Sequence, residues 1–388
     1  MTRIVLLSQD PVGKKMAGPG IRYFEMAKVL SKHFKVTLLT PNKSDISSPG
    51  ITIKSYSHST ILNLIPQNSY LISQPQKYRV LRRLKSKNIK LISDLYAPAF
   101  IEVKEHKRYC AFHIRTLHVL NQYYLFYLQI YFADIILCAN PRQKELYQKM
   151  ARKMFLKKKI IDVPFGLSDK NPNFIDKDRV YKKFSNIRKT DKIILWGGGV
   201  WNWFDPLTCI KAIEIISKKR DDVKLVFMGV KHPNPKIRDL EMVNSAVDYC
   251  KENNLLNKFV FFNFDWTPYN ERVDYLLSSK IGISAHFNNL ETRYSFRTRI
   301  LDYLWADLPM VATKGDYFAQ LIKKHNLGKV VNYNDPRAMS EAIEMVLEKT
   351  CVYRENIEKV KNNFTWENNL KKLITKIRNT TDTNYQHE

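Results

Sequence analysis

Ser295, Phe296, Arg297, Thr298, Arg299 and Asp302 lie in a stretch whose residue types suit the binding of a phosphate and a diol. Ser295 is a good N-cap, and Ile300, Leu301, Leu304 and Trp305 recur on one apolar helical stripe, which predicts a helix over 296–306. Ser295, Thr298, Arg299 and Asp302 share the opposite stripe. The first free N–H groups of such a helix, near Phe296 to Thr298, and the positive end of its dipole favour a phosphate. Asp302 falls about 6–10 Å further along the axis, at about 1.5 Å per residue. A carboxylate that far from a diphosphate can accept hydrogen bonds from a ribose diol. The alternative is an ordinary buried helix with Asp302 satisfied locally.

The elements around this helix set its surroundings. A strand over 281–284 leads into a polar turn over 285–294, whose one carboxylate is Glu291, and a second strand over 309–313 follows the helix. Earlier, a strand over 192–196 runs into Gly197-Gly198-Gly199-Val200-Trp201-Asn202-Trp203-Phe204-Asp205-Pro206 and then a helix over 207–219. Three glycines at a strand's carboxyl end free the backbone to wrap a phosphate or a sugar. Trp201 and Trp203 either flank a sugar or base or pack the loop. Lys231 and His232, after a strand over 225–230, are further cations near a strand end, as are Arg293, Arg297 and Arg299. A guanidinium is suited to bidentate contact with phosphate.

Strand and helix signals alternate through the chain, which predicts an α/β, doubly wound architecture. In the first half, a strand over 4–7 precedes a loop over 9–19 with Gly13 and Gly18, then Gly20 and a helix over 21–32. The spacing is not that of a dinucleotide fingerprint. Asp94 ends a strand over 91–94 and either meets a substrate hydroxyl or caps the helix after Pro98. Strand 160–166, ending in Pro164 and Gly166, and the polar residues 168–173 mark a domain linker. Three parts are expected: 1–170, 171–352, and a terminal helix and tail over 353–388.

With 388 residues, the chain suits two domains better than one core. Five scattered cysteines, with no C-x-x-C pair, argue against a disulfide framework or a zinc site and fit a reducing cytoplasm. The apolar stretch 123–139 is interrupted by Gln129 and Asp134 and is too short for a clean span. It reads as a helix ending near Phe132, then a strand over 135–138. The net charge of +27 is uneven, since residues 1–170 hold 29 Lys and Arg against 10 Asp and Glu. Lys77, Arg79, Arg82, Arg83, Lys85, Lys87 and Lys90 form one acid-free cluster, and Arg152, Lys153, Lys157, Lys158 and Lys159 a second. Such clusters attract nucleic acid or an anionic membrane surface, or are a solvated face.

The run from Ser295 to Thr313, with Asp302 seven residues before Pro309 in Asp307-Leu308-Pro309-Met310-Val311-Ala312-Thr313, resembles the nucleotide-sugar site of glycosyltransferase family 4. A subgroup with the Gly-Gly-Gly-x-Trp-Asn-Trp-Phe-Asp-Pro loop describes it best. The resemblance implies a GT-B fold: two Rossmann-like domains facing a cleft, with a terminal helix crossing back. It puts Asp302 at the ribose. The family's first glutamate falls at Tyr294, and Glu291, three residues earlier, is the nearest carboxylate to serve at the sugar. Gly18-Pro19-Gly20-Ile21-Arg22 is similar to the family's first loop at the cleft. Ser295 to Arg299, Gly198, Gly199, Asn202, Lys231 and His232 are then donor contacts, with Glu291 and Asp94 catalytic. The two family cations that neutralise the diphosphate fall at Gly199 and Phe204, neither of which is charged.

The reaction so implied is transfer of a sugar, with retention, from a nucleotide-sugar to a glycan or lipid-linked acceptor. No cofactor and no obligatory metal are expected. The setting would be cytoplasmic, peripheral on an anionic membrane through the basic first domain. A sugar-nucleotide epimerase would share the fold without using an acceptor. A nucleic-acid-binding protein would account for the charge but not for the motif around Asp302, so nucleic acid is the less expected partner.

Overall fold

The structure, a computed structural model, describes residues 2–57, 59–107, 110–168, 170–231 and 240–385. The chain forms two compact units, one of Met1–Gly166 with Thr365–Glu388 and one of Leu167–Phe364. The sequence reading put the breaks after residues 170 and 352. The chain instead leaves the first unit after Gly166 and returns to it at Thr365.

In the first unit, strands β1 (Arg3–Leu7), β2 (Lys35–Thr40), β3 (Ile51–Ser55), β4 (Tyr70–Ser73), β5 (Lys90–Asp94), β6 (Ile135–Cys138) and β7 (Lys159–Asp162) form one sheet. Its order is β3-β2-β1-β4-β5-β6-β7, with every pairing parallel. These are short apolar runs because a parallel sheet is covered on both faces. Val5, Leu7, Leu39, Leu71 and Leu91 meet Leu81 and Leu84 of helix Tyr78–Ser86 in one core cluster. β3 and β4 escape the sequence reading, since β3 lies at the sheet edge with an exposed, polar pattern.

Helix Gly18–Ser31 begins three residues before its expected start, with Pro19 in its first turn where a missing N–H costs nothing. A Cβ on Gly20 would lie 2.4 Å from the Pro11 carbonyl oxygen, so glycine there permits loop and helix to touch. The terminal region is not one helix but Thr350–Lys361, a 3₁₀ turn Asn362–Phe364 and Trp366–Tyr385. The last of these crosses back to the first unit and packs on helix Gly18–Ser31. Asn369 Nδ2 donates to the Phe165 carbonyl (2.9 Å), and a Cβ on Gly166 would lie 2.4 Å from the Trp366 nitrogen.

The second unit has β8 (Lys192–Trp196), β9 (Val223–Phe227), β10 (Val260–Phe262), β11 (Ile281–Ser284), β12 (Met310–Thr313) and β13 (Gly328–Val331). They form a parallel sheet in the order β10-β9-β8-β11-β12-β13. Its core joins Trp196, Ile213, Phe227, Val260, Ile283, Val311 and Ile343. Strand order reverses between β8 and β11. In open parallel sheets the ligand crevice lies outside the carboxyl ends at such a reversal.

Candidate functional site

The carboxyl ends of β8 and β11 carry the two stretches singled out by sequence, Gly197–Asp205 and residues 285–299. Tyr303 locks them side by side. Its hydroxyl accepts from the Gly197 N–H (2.8 Å) and lies 2.9 Å from the carbonyls of both Leu195 and Ile283. A Cβ on Gly282 would sit 2.4 Å from the Tyr303 ring, so the glycine in β11 admits that ring. Burial holds the phenol proton firmly, raising its pKa.

The helix that Tyr303 anchors is Thr298–Trp305, not 296–306. Within the turn, a short helix, Leu290–Tyr294, is capped by Asn289, which accepts from the Thr292 N–H (2.9 Å). Ser295 closes that short helix instead of opening the next one, its N–H donating to the Glu291 carbonyl (2.8 Å). Phe296 packs against Phe318, with ring centroids 4.7 Å apart. Arg297 is drawn back from the helix to Glu291: Nη1 reaches Oε1 at 2.7 Å and Nη2 reaches Oε2 at 2.6 Å. Both residues are buried, and Asp316 lies 3.9 Å from Arg297 Nε. Glu291 is thus enclosed with both oxygens on a guanidinium. This corrects the expectation of a carboxylate open to a sugar.

Arg299 is the unusual group. It is 7% exposed, and Nη2 donates to the Gly199 carbonyl (2.7 Å). Its guanidinium lies over Phe204 (4.2 Å) and Trp196 (4.4 Å), while Arg297 lies over Phe204 from 4.7 Å. Among the described residues no carboxylate pairs with Arg299, and its Nη1 is buried without a hydrogen-bond partner. Burial and then the Arg297 charge lower its pKa to about 10. The two loop positions where the family resemblance expects cations, Gly199 and Phe204, are therefore where the guanidiniums arrive from the other side of the site.

The glycine loop keeps some freedom. Gly198 has φ +80°, and a Cβ there would meet nothing within 4 Å. Gly199 is backed by Trp266, 3.2 Å from a Cβ position. Trp201 and Trp203 stack on one another at 5.1 Å, so they pack the loop. Asn202 is buried and tied down, donating to Glu241 (2.6 Å) and accepting from the Met242 N–H (3.3 Å). These bonds make it a brace for the loop.

Asp302 stands on the helix, one-third exposed, and its Oδ1 accepts from Arg272 Nε (3.0 Å). Arg272 is in turn held over Tyr269 (3.9 Å) and near Trp305 (4.8 Å). Lys231 is exposed, and His232 lies outside the described residues.

His286, which sequence reading passed over, sits fully buried at the β11 end. Its Nε2 bonds the Lys314 carbonyl (3.1 Å) and must carry the proton, which leaves a lone pair on Nδ1 with no partner among the described residues. Burial, then Arg297, holds its pKa well below the usual value. The folded chain therefore excludes a proton that the unfolded chain takes up at about pH 6.5, and stability is lost as pH falls below that value. Melting temperatures at about pH 7.5 and about pH 5.5 should diverge more in the wild type than in His286→Gln. An equal drop in both proteins would put the acid sensitivity elsewhere.

In the first unit, Asp94 and Arg22 are both buried. They form a buried bidentate pair, Nε to Oδ2 and Nη2 to Oδ1 both at 2.7 Å, with Arg22 also donating to the Val163 carbonyl (2.9 Å). Tyr96 and Phe165 cover the guanidinium at 5.2 and 5.0 Å. Asp94 caps no helix either, since helix Ala99–His106 has no side-chain cap. The pair pins helix Gly18–Ser31 to the ends of β5 and β7. Gly18 begins that helix, with nothing within 4 Å of a Cβ position.

No three His, Cys, Asp or Glu among the described residues are grouped to hold a metal ion. Residues 177–364 match the family described as Glycosyl transferases group 1. No curated protein matches the chain in sequence. Among solved structures, sucrose-phosphate synthase from Thermosynechococcus elongatus is similar at 14% identity over 100% of both chains, with a TM-score of 0.68. WaaG, a glycosyltransferase involved in lipopolysaccharide biosynthesis, is similar at 13% identity over 96% of this chain and 98% of its own, with a TM-score of 0.65. HepE of Anabaena, solved with UDP-glucose, is similar at 10% identity over 98% of this chain and all of its own, with a TM-score of 0.67. By fold the chain is a GT-B protein, and by sequence its residues 177–364 are similar to the group 1 glycosyl transferases.

Proposed function

We propose that this chain is a retaining, family 4-like hexosyltransferase that takes a nucleotide-sugar donor in its second unit. One observation carries the reading: Arg299 is a buried cation with no carboxylate partner among the described residues, brought to the Gly199 carbonyl at the reversal of the sheet. A charge so placed is costly unless an anion joins it. The diphosphate of the donor supplies that anion, with Gly198 and the N-terminus of helix Thr298–Trp305 as further contacts. Catalysis then lies in stabilising the leaving diphosphate by fixed donors and guanidiniums, with no obligatory metal. Arg297 is held for this task by Glu291, which acts as a positioning residue. HepE, solved with UDP-glucose, shares the fold and makes UDP-hexoses the first donors to test. The acceptor is a glycan or lipid-linked glycan at the cytoplasmic face of a membrane, in polysaccharide assembly.

Asp302 holds the ribose in this reading. Arg272 occupies one oxygen, and Oδ2 is left to accept from the diol. Asp302→Asn should weaken nucleoside-diphosphate binding about tenfold to a hundredfold, the range for hydrogen bonds to a charged group. Calorimetric titration of wild type and variant checks this. Equal affinities in a folded variant would remove Asp302 from the ribose.

A further inference from the structure

Helix Phe112–Phe132 packs on helix Ala99–His106, with Tyr123 stacked on Phe100 at 4.3 Å, and its buried residues are Phe126, Gln129 and Ile130, of which Gln129 Nε2 donates to the Gln76 carbonyl (2.7 Å). Leu117, Leu120, Tyr124 and Tyr131 recur at helical spacing and form one ridge, 67%, 58%, 55% and 58% exposed respectively. The helix carries no Asp or Glu.

A second apolar projection stands beside its end. Lys158 Nζ donates to the carbonyls of Tyr131 (2.8 Å) and Ala133 (2.9 Å), which ties the turn after helix Pro141–Lys153 to the ridge. That turn presents Phe155, 99% exposed at φ +56°. The other non-glycine residues at positive φ among the described residues are all Asn or Asp. A bulky ring is disfavoured in this conformation, and in water it has nothing to gain there. Exposed positive charge flanks both features. Arg152, Lys153 and Lys157 adjoin Phe155, and Arg79, Arg82 and Arg83 lie on helix Tyr78–Ser86, whose Tyr78 ring meets Phe132 at 6.0 Å.

We propose that Leu117, Leu120, Tyr124, Tyr131 and Phe155 insert into the interface of an anionic bilayer while these six cations meet its headgroups. An apolar face bordered by arginine and lysine is the pattern of a helix lying in the membrane plane. No described helix is long and apolar enough to cross a membrane. A second copy is the poorer occupant, because two such basic faces repel. The inference deepens the proposed membrane-side acceptor. It also shifts the expected contacts, since Lys87 is spent on the Leu62 carbonyl (2.5 Å) and Lys85 on Asp134 (3.0 Å).

The test is co-sedimentation of the full chain with phosphatidylcholine vesicles, with and without phosphatidylglycerol, at low and high salt. Wild type should require phosphatidylglycerol. Leu120→Gln with Tyr124→Gln, and separately Phe155→Gln, should each reduce partitioning about tenfold, as expected for an apolar side chain left in water. Their melting temperatures should stay at the wild-type value because these side chains are exposed. Ridge variants that partition like wild type would reduce the contact to charge alone and overturn the proposal. So would absence of vesicle binding, or a wild-type dimer that the same variants dissociate. Nucleoside-diphosphate binding in solution, measured on the same preparations, reports on the transferase reading separately, because none of these residues lies in the second unit.

Discussion

Arg299→Met should raise the melting temperature of the unliganded protein and, in the same variant, cut nucleoside-diphosphate affinity about tenfold to a hundredfold. The two effects share a cause. The site holds a guanidinium against two aromatic faces and one carbonyl, with its pKa lowered to about 10. At about 1.4 kcal/mol for each tenfold change, the fold disfavours that charge by roughly 3 kcal/mol. Methionine keeps most of the length, fills the apolar surroundings and removes the charge. Part of the gain is offset by the lost contacts with Trp196, Phe204 and Gly199, so a net stabilisation of about 1–3 kcal/mol is expected. A structural pin behaves in the opposite way. If Arg299→Met melts earlier and binds nucleotide as well as wild type, Arg299 is only a strut between the helix and the glycine loop.

The second large effect is expected at Glu291. Glu291→Gln should destabilise the protein by about 3 kcal/mol, because it leaves Arg297 buried against a neutral amide. Donor binding should weaken as well, through the loss of Arg297's fixed position, and Glu291→Asp should restore part of both. Denaturant unfolding and donor titration on each variant measure the two effects. A Glu291→Gln protein with wild-type stability and donor affinity but little turnover would instead put the carboxylate on the reacting sugar.

These two arginines also show what the chain's pattern reveals and what it hides. The alternation of short apolar runs with amphipathic stretches makes the doubly wound architecture legible, and strand Ile135–Cys138 lies where the apolar pattern puts it. The glycine loop and the 285–302 stretch are legible as paired strand-end segments, because composition marks both and each follows a strand, and the fold sets them side by side. The wiring inside the site is not. Nothing local to Arg297 says that it will leave the helix for Glu291, since that depends on Phe296 finding Phe318 and on Asn289 starting a separate turn. Nor does spacing tell that Arg299 will meet the carbonyl of Gly199, 100 residues away. Asp94 misleads for a related reason. A carboxylate at a strand's carboxyl end reads as a crevice group, but Arg22, 72 residues earlier, takes both of its oxygens. His286 gives no sequence signal at all, because its perturbation comes wholly from burial and a neighbouring guanidinium.

The family resemblance is misleading in one respect and informative in the same one. It predicts two cations on the β8 loop, where the chain has Gly199 and Phe204. The structure keeps guanidiniums at that place by bringing Arg299 to one residue and over the other, with Arg297 beside it. In the proposed reading the positive charge at this place comes from the facing stretch instead of the β8 loop. This accounts for a glycine and an aromatic where charge is expected, since the aromatic faces now carry the incoming cations.

Incubation of the purified chain with UDP-, GDP-, ADP- and dTDP-sugars, followed by NMR of the sugar released or transferred, tests the central claim most directly. The predicted result is release of nucleoside diphosphate from one of these donors, with the new or hydrolysed product formed in the donor's own anomeric configuration and with the reaction weakened in Asp302→Asn. Binding of none of the four nucleotides, or conversion of a donor to its epimer with the diphosphate still attached, would contradict it.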